Sequence, residues 1–331
     1  MKAGSLLEGG QAGERLAARP RALASGGGER RRRAEQSAHD EGAETAASVL
    51  AVHHVNDCSA MRIVTVGDLL LDVVVRVERA LVRGDDVVAE TRTGPGGQAA
   101  NVAAWTAELG ASAAFVGRRG DDDAGRLVSN ALASYGVQVL GPVGGRNGVV
   151  VSLVDPDGTR SMASDRGVAP ELRESDLEPS WFEDCAWLHI AGYSLLREPL
   201  GAASLAAAGH ARRTGSRVSL DLSTSTAIAS YGSTRFASLL ADLAPELVFG
   251  TAEELAAIGG EFPSPWWVLK RGAFGITVGE AGAAQEFPAV AVDAMDTTGA
   301  GDALAAGFLV GGPGLALETA ARCVAKMGAM P

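Results

Sequence analysis

Cysteine is scarce in this sequence. Cys58, Cys185 and Cys323 are the only three in 331 residues, and they lie far apart. An odd number with no Cys-x-x-Cys pair excludes a disulfide framework and a structural zinc site, and it fits a reducing cytosol. Positive charge is also in deficit. The formal net charge of −11 argues against a nucleic-acid surface and against docking on an anionic membrane. No apolar run approaches the length of a membrane span, so no membrane partner is expected. No Walker A loop occurs, which removes the P-loop enzymes. A dinucleotide fold needs Gly-x-Gly-x-x-Gly directly after the first strand. The first apolar run, 63–66, ends at Gly67 without it, and Gly94, Gly96 and Gly97 come later with the wrong spacing. Aromatic residues are only 5% of the chain, with no pair near Asp72 or Asn101, which leaves a base-stacking pocket without a visible candidate.

Apolar residues, by contrast, are plentiful. They make up 47% of the chain against 21% charged, enough for a sizeable core. The length suits one large α/β domain or two small ones. Residues 1–60 stand apart. They are rich in Ala, Gly, Arg and Glu, and their eight basic and eight acidic side chains cancel, so the remainder holds the whole net charge. This segment lacks the apolar content to fold alone and is expected to be a disordered extension. Its arginine run, 30–33, is bracketed by Glu29 and Glu35 and reads as a solvated charge run, not a nucleic-acid patch. No apolar h-region follows the first basic residue, so a secretory signal is not expected. Met61 opens a clean first strand, which makes it the expected biological start, with 1–60 upstream of it.

From residue 61 onward, strands and helices alternate. The run 63–66 and the segments 187–190, 217–220, 247–249, 266–270 and 275–278 read as strands, the first as a buried parallel one. A helix follows Gly97 as far as Leu109, where Gly110 stops it. Two hairpins are expected. One joins 73–77 to 87–91, and the other joins 149–154 to 160–162 around Asp155-Pro156-Asp157-Gly158. Strand–helix repetition predicts a parallel sheet covered on both faces, with ligands at the carboxyl ends of its strands. Asp72, Glu254, Lys270 and Asp302 fall just after strands or at helix starts, so they are expected to converge on one edge.

The densest motif is Asp296-Thr297-Thr298-Gly299-Ala300-Gly301-Asp302, followed by the apolar run 303–310. It reads as a turn that opens into a buried helix. First-turn amides lack helical partners and the helix dipole is positive there, so Gly299, Ala300 and Gly301 form a ready anion site. Asp302 beside it is either an N-cap or a group with chemistry at a phosphate. For a lone Gly-x-Gly the cap is the plainer reading.

Together with Gly94-Pro95-Gly96-Gly97-Gln98-Ala99-Ala100-Asn101-Val102-Ala103, this motif resembles the two signatures of the ribokinase/PfkB family of carbohydrate and nucleoside kinases. They stand in the family's order, and the resemblance runs from about residue 63 to the C-terminus. It implies an α/β fold, a three-layer α/β/α sandwich with a mostly parallel central sheet and a small β lid. The domain would be 61–331, with lid segments at about 72–93 and 148–164. The implied activity is transfer of the γ-phosphoryl of ATP to a hydroxyl of a small sugar or nucleoside. Such a site positions its reactants, neutralises developing charge and accepts the hydroxyl proton.

Residue by residue, Asp302 matches the family's catalytic base, and Gly299, Ala300 and Gly301 match its anion hole. Asp72 matches the acidic residue that binds substrate hydroxyls, and Gly96, Gly97 and Asn101 match further sugar contacts. Phe249-Gly250-Thr251-Ala252-Glu253-Glu254 resembles the family's Asn-x-x-Glu motif, with Thr251 in place of the asparagine and Glu254 matching the glutamate that organises Mg²⁺. Lys270 and Gly272 match the nucleotide loop. Asp296 and Thr298 match positions that help bind a monovalent cation such as K⁺. The segment 322–331 resembles the family's close after a shortened helix, and no adenine-pocket residue is carried over from it. The resemblance also allows a homodimer through the lid and a cytoplasmic location. The competing readings are a nucleoside kinase of the same fold and a non-catalytic ligand-binding relative, which Thr251 would suit.

Overall fold

The computed structural model describes residues 61–331, apart from Gly158 and Ala281. The expectations for residues 1–60 lie outside the described residues, as does the last residue of the turn at 155–158. The first strand, β1 (Arg62–Val66), is fully buried after Arg62. Next come β2 (Leu70–Val77), β3 (Ala89–Gly96) and helix α1 (Gln98–Glu108). They are followed by β4 (Ser112–Val116), α2 (Asp123–Ser134) and the short β5 (Gln138–Leu140). A hairpin of β6 (Asn147–Val154) and β7 (Arg160–Gly167) interrupts the alternation. It resumes with β8 (Trp187–Ala191), α3 (Leu200–Arg213), β9 (Arg217–Asp221), α4 (Ser225–Tyr231) and α5 (Ser233–Leu243). Then come β10 (Leu247–Thr251), α6 (Ala252–Ala257) and β11 (Trp266–Lys270). The hairpin β12 (Ile276–Glu280) and β13 (Ala283–Phe287) leads to the last helix, α7 (Ala300–Val324).

Nine strands form one sheet in the order β13-β12-β11-β10-β9-β8-β1-β4-β5. From β11 to β5 every pairing is parallel, while β12 and β13 run antiparallel at one edge. Side chains alternate across a strand, so a sheet with helices on both sides needs apolar residues at every position. Val64, Leu188 and Val248 feed a core with α3 and α5 on one face. Ile63, Trp187 and Phe249 feed a core with α1 and α7 on the other. Each such side chain contributes roughly 1.5–3 kcal/mol by leaving water. This is the expected three-layer sandwich.

Helix α7 departs from the sequence expectation. By length and composition alone it is apolar enough to cross a membrane, with a window of mean hydropathy 1.3, but 67% of that window is buried inside the protein. Its neighbours include Trp105 and Phe249, the surroundings of a core helix. The helical geometry breaks at Gly311 and Gly312, just ahead of Pro313. A proline ring clashes with the preceding turn, and the glycines absorb the break.

A second, four-stranded sheet has the order β3-β2-β6-β7, with β2 and β6 parallel at its centre. Its pairing extends beyond the expected 72–93 and 148–164. Strand β2 begins at Leu70, so Asp72 lies inside a strand, between Gly94 and Val150, and not ahead of one. Strand β3 covers Ala89–Gly96 and not 87–91. It is an edge strand, which tolerates the missing N–H of Pro95.

Candidate active site

The carboxyl ends of β1, β8, β9, β10 and β11 share one edge of the large sheet, and the start of α7 lies against it. Gly299 is the N-cap of α7, with φ 75°. A Cβ there would stand 2.5 Å from the Cβ of Ala329. Only glycine suits both the left-handed backbone and that approach. The turn separates two cavities. One, of about 260 Å³, is lined by Asp72, Gly97, Asn101, Thr298, Gly299 and Asp302 among others. The other, of about 650 Å³, is lined by Thr251, Lys270, Gly272, Thr297, Ala300 and Gly301 among others. The three turn residues therefore do not share a face. Gly299 borders the smaller cavity, and Ala300 and Gly301 border the larger. The Ala300 N–H is partly engaged, 3.3 Å from the Thr297 carbonyl.

Asp302 sits in the first turn of α7 and is only 9% exposed. It does not cap the helix, because the N-cap position is Gly299 and carries no side-chain cap. Its Oδ2 accepts a 2.7 Å hydrogen bond from Asn101 Nδ2. Burial pushes its carboxyl up to about 7, while the Asn101 bond pulls the other way. A buried carboxyl poised near neutrality in a cleft is suited to taking up a proton. If the ionised form is the proton acceptor, kcat/KM should rise with pH through about 7. Asn101→Ala removes a bond to the ionised form and should move that acidic limb to higher pH. A limb that stays in place would separate Asn101 from the titration of Asp302.

Asn101 lies one turn into α1, and its Oδ1 is buried with no protein partner among the described residues. That leaves an acceptor for a hydroxyl at the smaller cavity. Asp72 approaches from β2, with Gly96 laid against it. A Cβ on Gly96 would fall 2.2 Å from the Asp72 carboxyl carbon. Burial pushes Asp72 up to about 6, opposed by the Arg160 guanidinium. Gly96→Ala should push this carboxyl aside. A lost hydrogen bond to a charged group costs about 1.5–3 kcal/mol, so KM for the acceptor should rise by roughly tenfold to a hundredfold. Steady-state kinetics with the acceptor varied will show it, and an unchanged KM would remove Asp72 from substrate binding. Arg166 and Asp68 also line this cavity, joined by bonds of 2.6 and 2.9 Å.

On the other side, Thr251 caps α6. Its Oγ1 accepts the Glu254 N–H at 3.3 Å, and Glu254 Oε2 accepts the Thr251 N–H at 2.8 Å. Glu254 is thereby buried and not an exposed helix charge. Burial pushes its carboxyl up, with Lys270 opposing. Lys270 Nζ stands 3.7 Å from Glu254 and donates to both carboxylate oxygens of Asp221 at 2.9 and 2.8 Å. Lys270 and Gly272 both line the larger cavity, and Gly301 lies against the lysine.

Asp296 and Thr298 face each other. Thr298 donates its N–H to Asp296 Oδ1 at 2.9 Å, and its hydroxyl reaches the same oxygen. The Gly328 N–H donates to Oδ2 at 3.0 Å. Arg160, at the start of β7, also donates to Oδ1. Burial would raise the Asp296 carboxyl, but these donors prevail and hold it at about 2. The two residues expected beside a monovalent cation thus spend their contacts on each other, on the backbone and on Arg160.

Asp72, Asn101 and Asp302 come together at the smaller cavity, and Thr251, Glu254 and Lys270 at the larger. Sequence reasoning missed Asp68, Arg160, Arg166 and Asp221. Asp68 and Asp221 each follow an apolar strand, the one signal that pointed to them. The arginines carried no signal, because their partners lie 136 and 98 residues away.

Phosphotransfer to an alcohol group is the chemistry that this fold and cleft define. The chain belongs to the PfkB family: the pfkB family carbohydrate kinase profile matches residues 60–330. An ATP-dependent ribose-1-phosphate kinase of Halopiger xanaduensis is 31% identical over 261 residues, 75% of this chain and 84% of that protein. A fructokinase of Klebsiella pneumoniae is 33% identical over 241 residues, 66% of this chain and 76% of that protein. Among solved structures, the adenosine kinase of Sinorhizobium meliloti superposes with a TM-score of 0.74. It covers 82% of this chain and 96% of its own at 23% identity, a likeness of fold.

Proposed function

We propose that this chain phosphorylates a hydroxyl of a small sugar or sugar-like substrate with ATP, and that Asp302 is the base. The observation that carries the reading is the position of Asp302, a buried carboxyl held near 7 beside the turn that parts the two cavities. The acceptor hydroxyl gives its proton to Asp302 as its oxygen bonds to the γ-phosphorus. The bond from that phosphorus to the bridging oxygen breaks, and ADP leaves. Gly299, Ala300 and Gly301 stabilise the transferring group through fixed backbone dipoles. Asp72, Gly96, Gly97 and Asn101 orient the acceptor, and the small sheet serves as the lid.

The larger cavity suits a nucleotide, with Thr251, Lys270 and Gly272 along its wall. Mg²⁺ bound with the nucleotide would neutralise charge on its phosphates. Among the described residues no group of three His, Cys, Asp or Glu is placed to hold a metal ion, so Glu254 suits an indirect role through water. A sugar is favoured over a nucleoside because Tyr193 is the single aromatic residue lining the smaller cavity among the described residues. The exposed Val151, on the face of the small sheet turned away from the smaller cavity, is where two copies would pair. Cys185 and Cys323 are free thiols, which suits a cytosolic enzyme.

The purified protein, incubated with ATP, Mg²⁺ and a panel of pentoses, hexoses, sugar acids and nucleosides, should form one phosphorylated product detectable by mass. Tight binding of one compound with no product from any would favour a non-catalytic relative.

A further inference from the structure

The contact between Arg160 and Asp296 crosses the cleft. Arg160 begins β7 in the small sheet, and Asp296 precedes the glycine turn of α7. The Asp296 side chain is 3% exposed and the Arg160 side chain 25%. Both Asp296 oxygens are occupied by the donors described above. The acceptors around them are engaged as well. The Thr298 carbonyl accepts from the Cys323 thiol at 3.3 Å. The Val324 carbonyl accepts from the Met295 and Asp296 amides at 2.7 and 3.3 Å. The Ala329 carbonyl accepts from Trp105 Nε1 at 2.8 Å. Each of those carbonyls keeps a second lone pair, but Asp296 Oδ1 already holds three donors, and one of them is the Arg160 guanidinium, whose charge repels a second cation. The residues present do not fit such a cation. A positive charge nevertheless stands at this place, and it belongs to the chain.

We propose that Arg160 takes the place that the resemblance gives to a monovalent cation, so that this enzyme works without K⁺. Its guanidinium fixes the Asp296 carboxylate and hence the turn at Gly299, Ala300 and Gly301. Because Arg160 is carried by the small sheet, the same contact ties that sheet to the start of α7. Arg160 is a positioning residue: it acts through Asp296, and its charge also lowers the Asp72 carboxyl. The inference rests on the phosphoryl-transfer reading above.

The test compares the wild type, Arg160→Met and Arg160→Lys in KCl and in tetramethylammonium chloride at equal ionic strength. Two readouts are taken, turnover and the thermal unfolding midpoint. The wild type and Arg160→Lys should show the same turnover and midpoint in both salts. Arg160→Met loses a charge-assisted hydrogen bond, and its turnover in tetramethylammonium should fall by roughly tenfold or more. K⁺ should restore part of that turnover and raise its midpoint. A wild type that is activated or stabilised by K⁺ over tetramethylammonium overturns the proposal. So does an Arg160→Met protein as indifferent to K⁺ as the wild type. If Arg160→Met fails to fold, Arg160→Gln carries the same comparison. Absence of turnover in every protein with every acceptor would sink the kinase reading, while the midpoints would still decide the role of Arg160.

Discussion

Asp302→Asn is expected to lower turnover by roughly 10²–10⁴-fold, the usual worth of a positioned general base, while acceptor and nucleotide still bind. The amide has the shape of the carboxylate and can turn its oxygen toward Asn101 Nδ2, so the 2.7 Å contact survives. What it cannot do is take the hydroxyl proton. Nor does it remove a helix cap, because Gly299 holds that position without side-chain help. The change therefore isolates proton transfer from folding. Single-turnover rates measure the loss, and calorimetric titration of acceptor and nucleotide shows whether binding is kept. Near-normal turnover would rule Asp302 out as the base. Equal loss of binding and rate would make it a structural residue.

Lys270→Met should produce the largest loss of stability. Asp221 is fully buried at the end of β9; its two oxygens accept from Lys270 at 2.9 and 2.8 Å, and the only other donor among the described residues is the Ser223 N–H to Oδ1 at 2.9 Å. Removing one partner of a buried pair leaves the other charge uncompensated, at a cost of about 3–5 kcal/mol. For a domain of this size each kcal/mol moves the midpoint by about 2–4 °C, so a fall on the order of 10 °C is expected. Pairing the change with Asp221→Asn removes the stranded charge and should recover much of the midpoint, since contacting residues do not add. Nucleotide affinity should stay low in the double variant, because Lys270 also borders the larger cavity. A Lys270→Met protein that melts at the wild-type midpoint would show that the pair adds nothing to the fold.

The central architecture was legible because a parallel sheet covered on both faces demands unbroken apolar strands. The runs 63–66 and 187–190 could be little else. The glycine turn was legible because its special backbone leaves a glycine signature. The small sheet was read less well. Its strands are half exposed, and Pro95, which looks like a breaker, is accommodated at an edge. Helix α7 was legible as a buried helix after the glycine turn, but its full length of 25 residues was not, because Gly311, Gly312 and Pro313 break the apolar run. The ion pairs were hardest. Asp296 stood out beside a glycine motif, yet its partner Arg160 sits in an unremarkable hairpin, and no local pattern joins them. Pairings of that kind are properties of the folded chain.

The turn at Gly299 is a thin partition. Gly299 and Asp302 border one chamber, and Ala300 and Gly301 border the next. If Asp302 is the base, as proposed, solvent standing in the smaller chamber would meet the same base and the same phosphate as a sugar hydroxyl. Water is smaller and far more abundant than any sugar, so an ill-fitting acceptor chamber wastes nucleotide by hydrolysis. Discrimination against water then depends on how completely the acceptor fills its chamber and how firmly the small sheet shuts over it. On the proposed mechanism the Arg160 contact would guard economy as much as rate, because the sheet it holds would decide which hydroxyl stands beside Asp302.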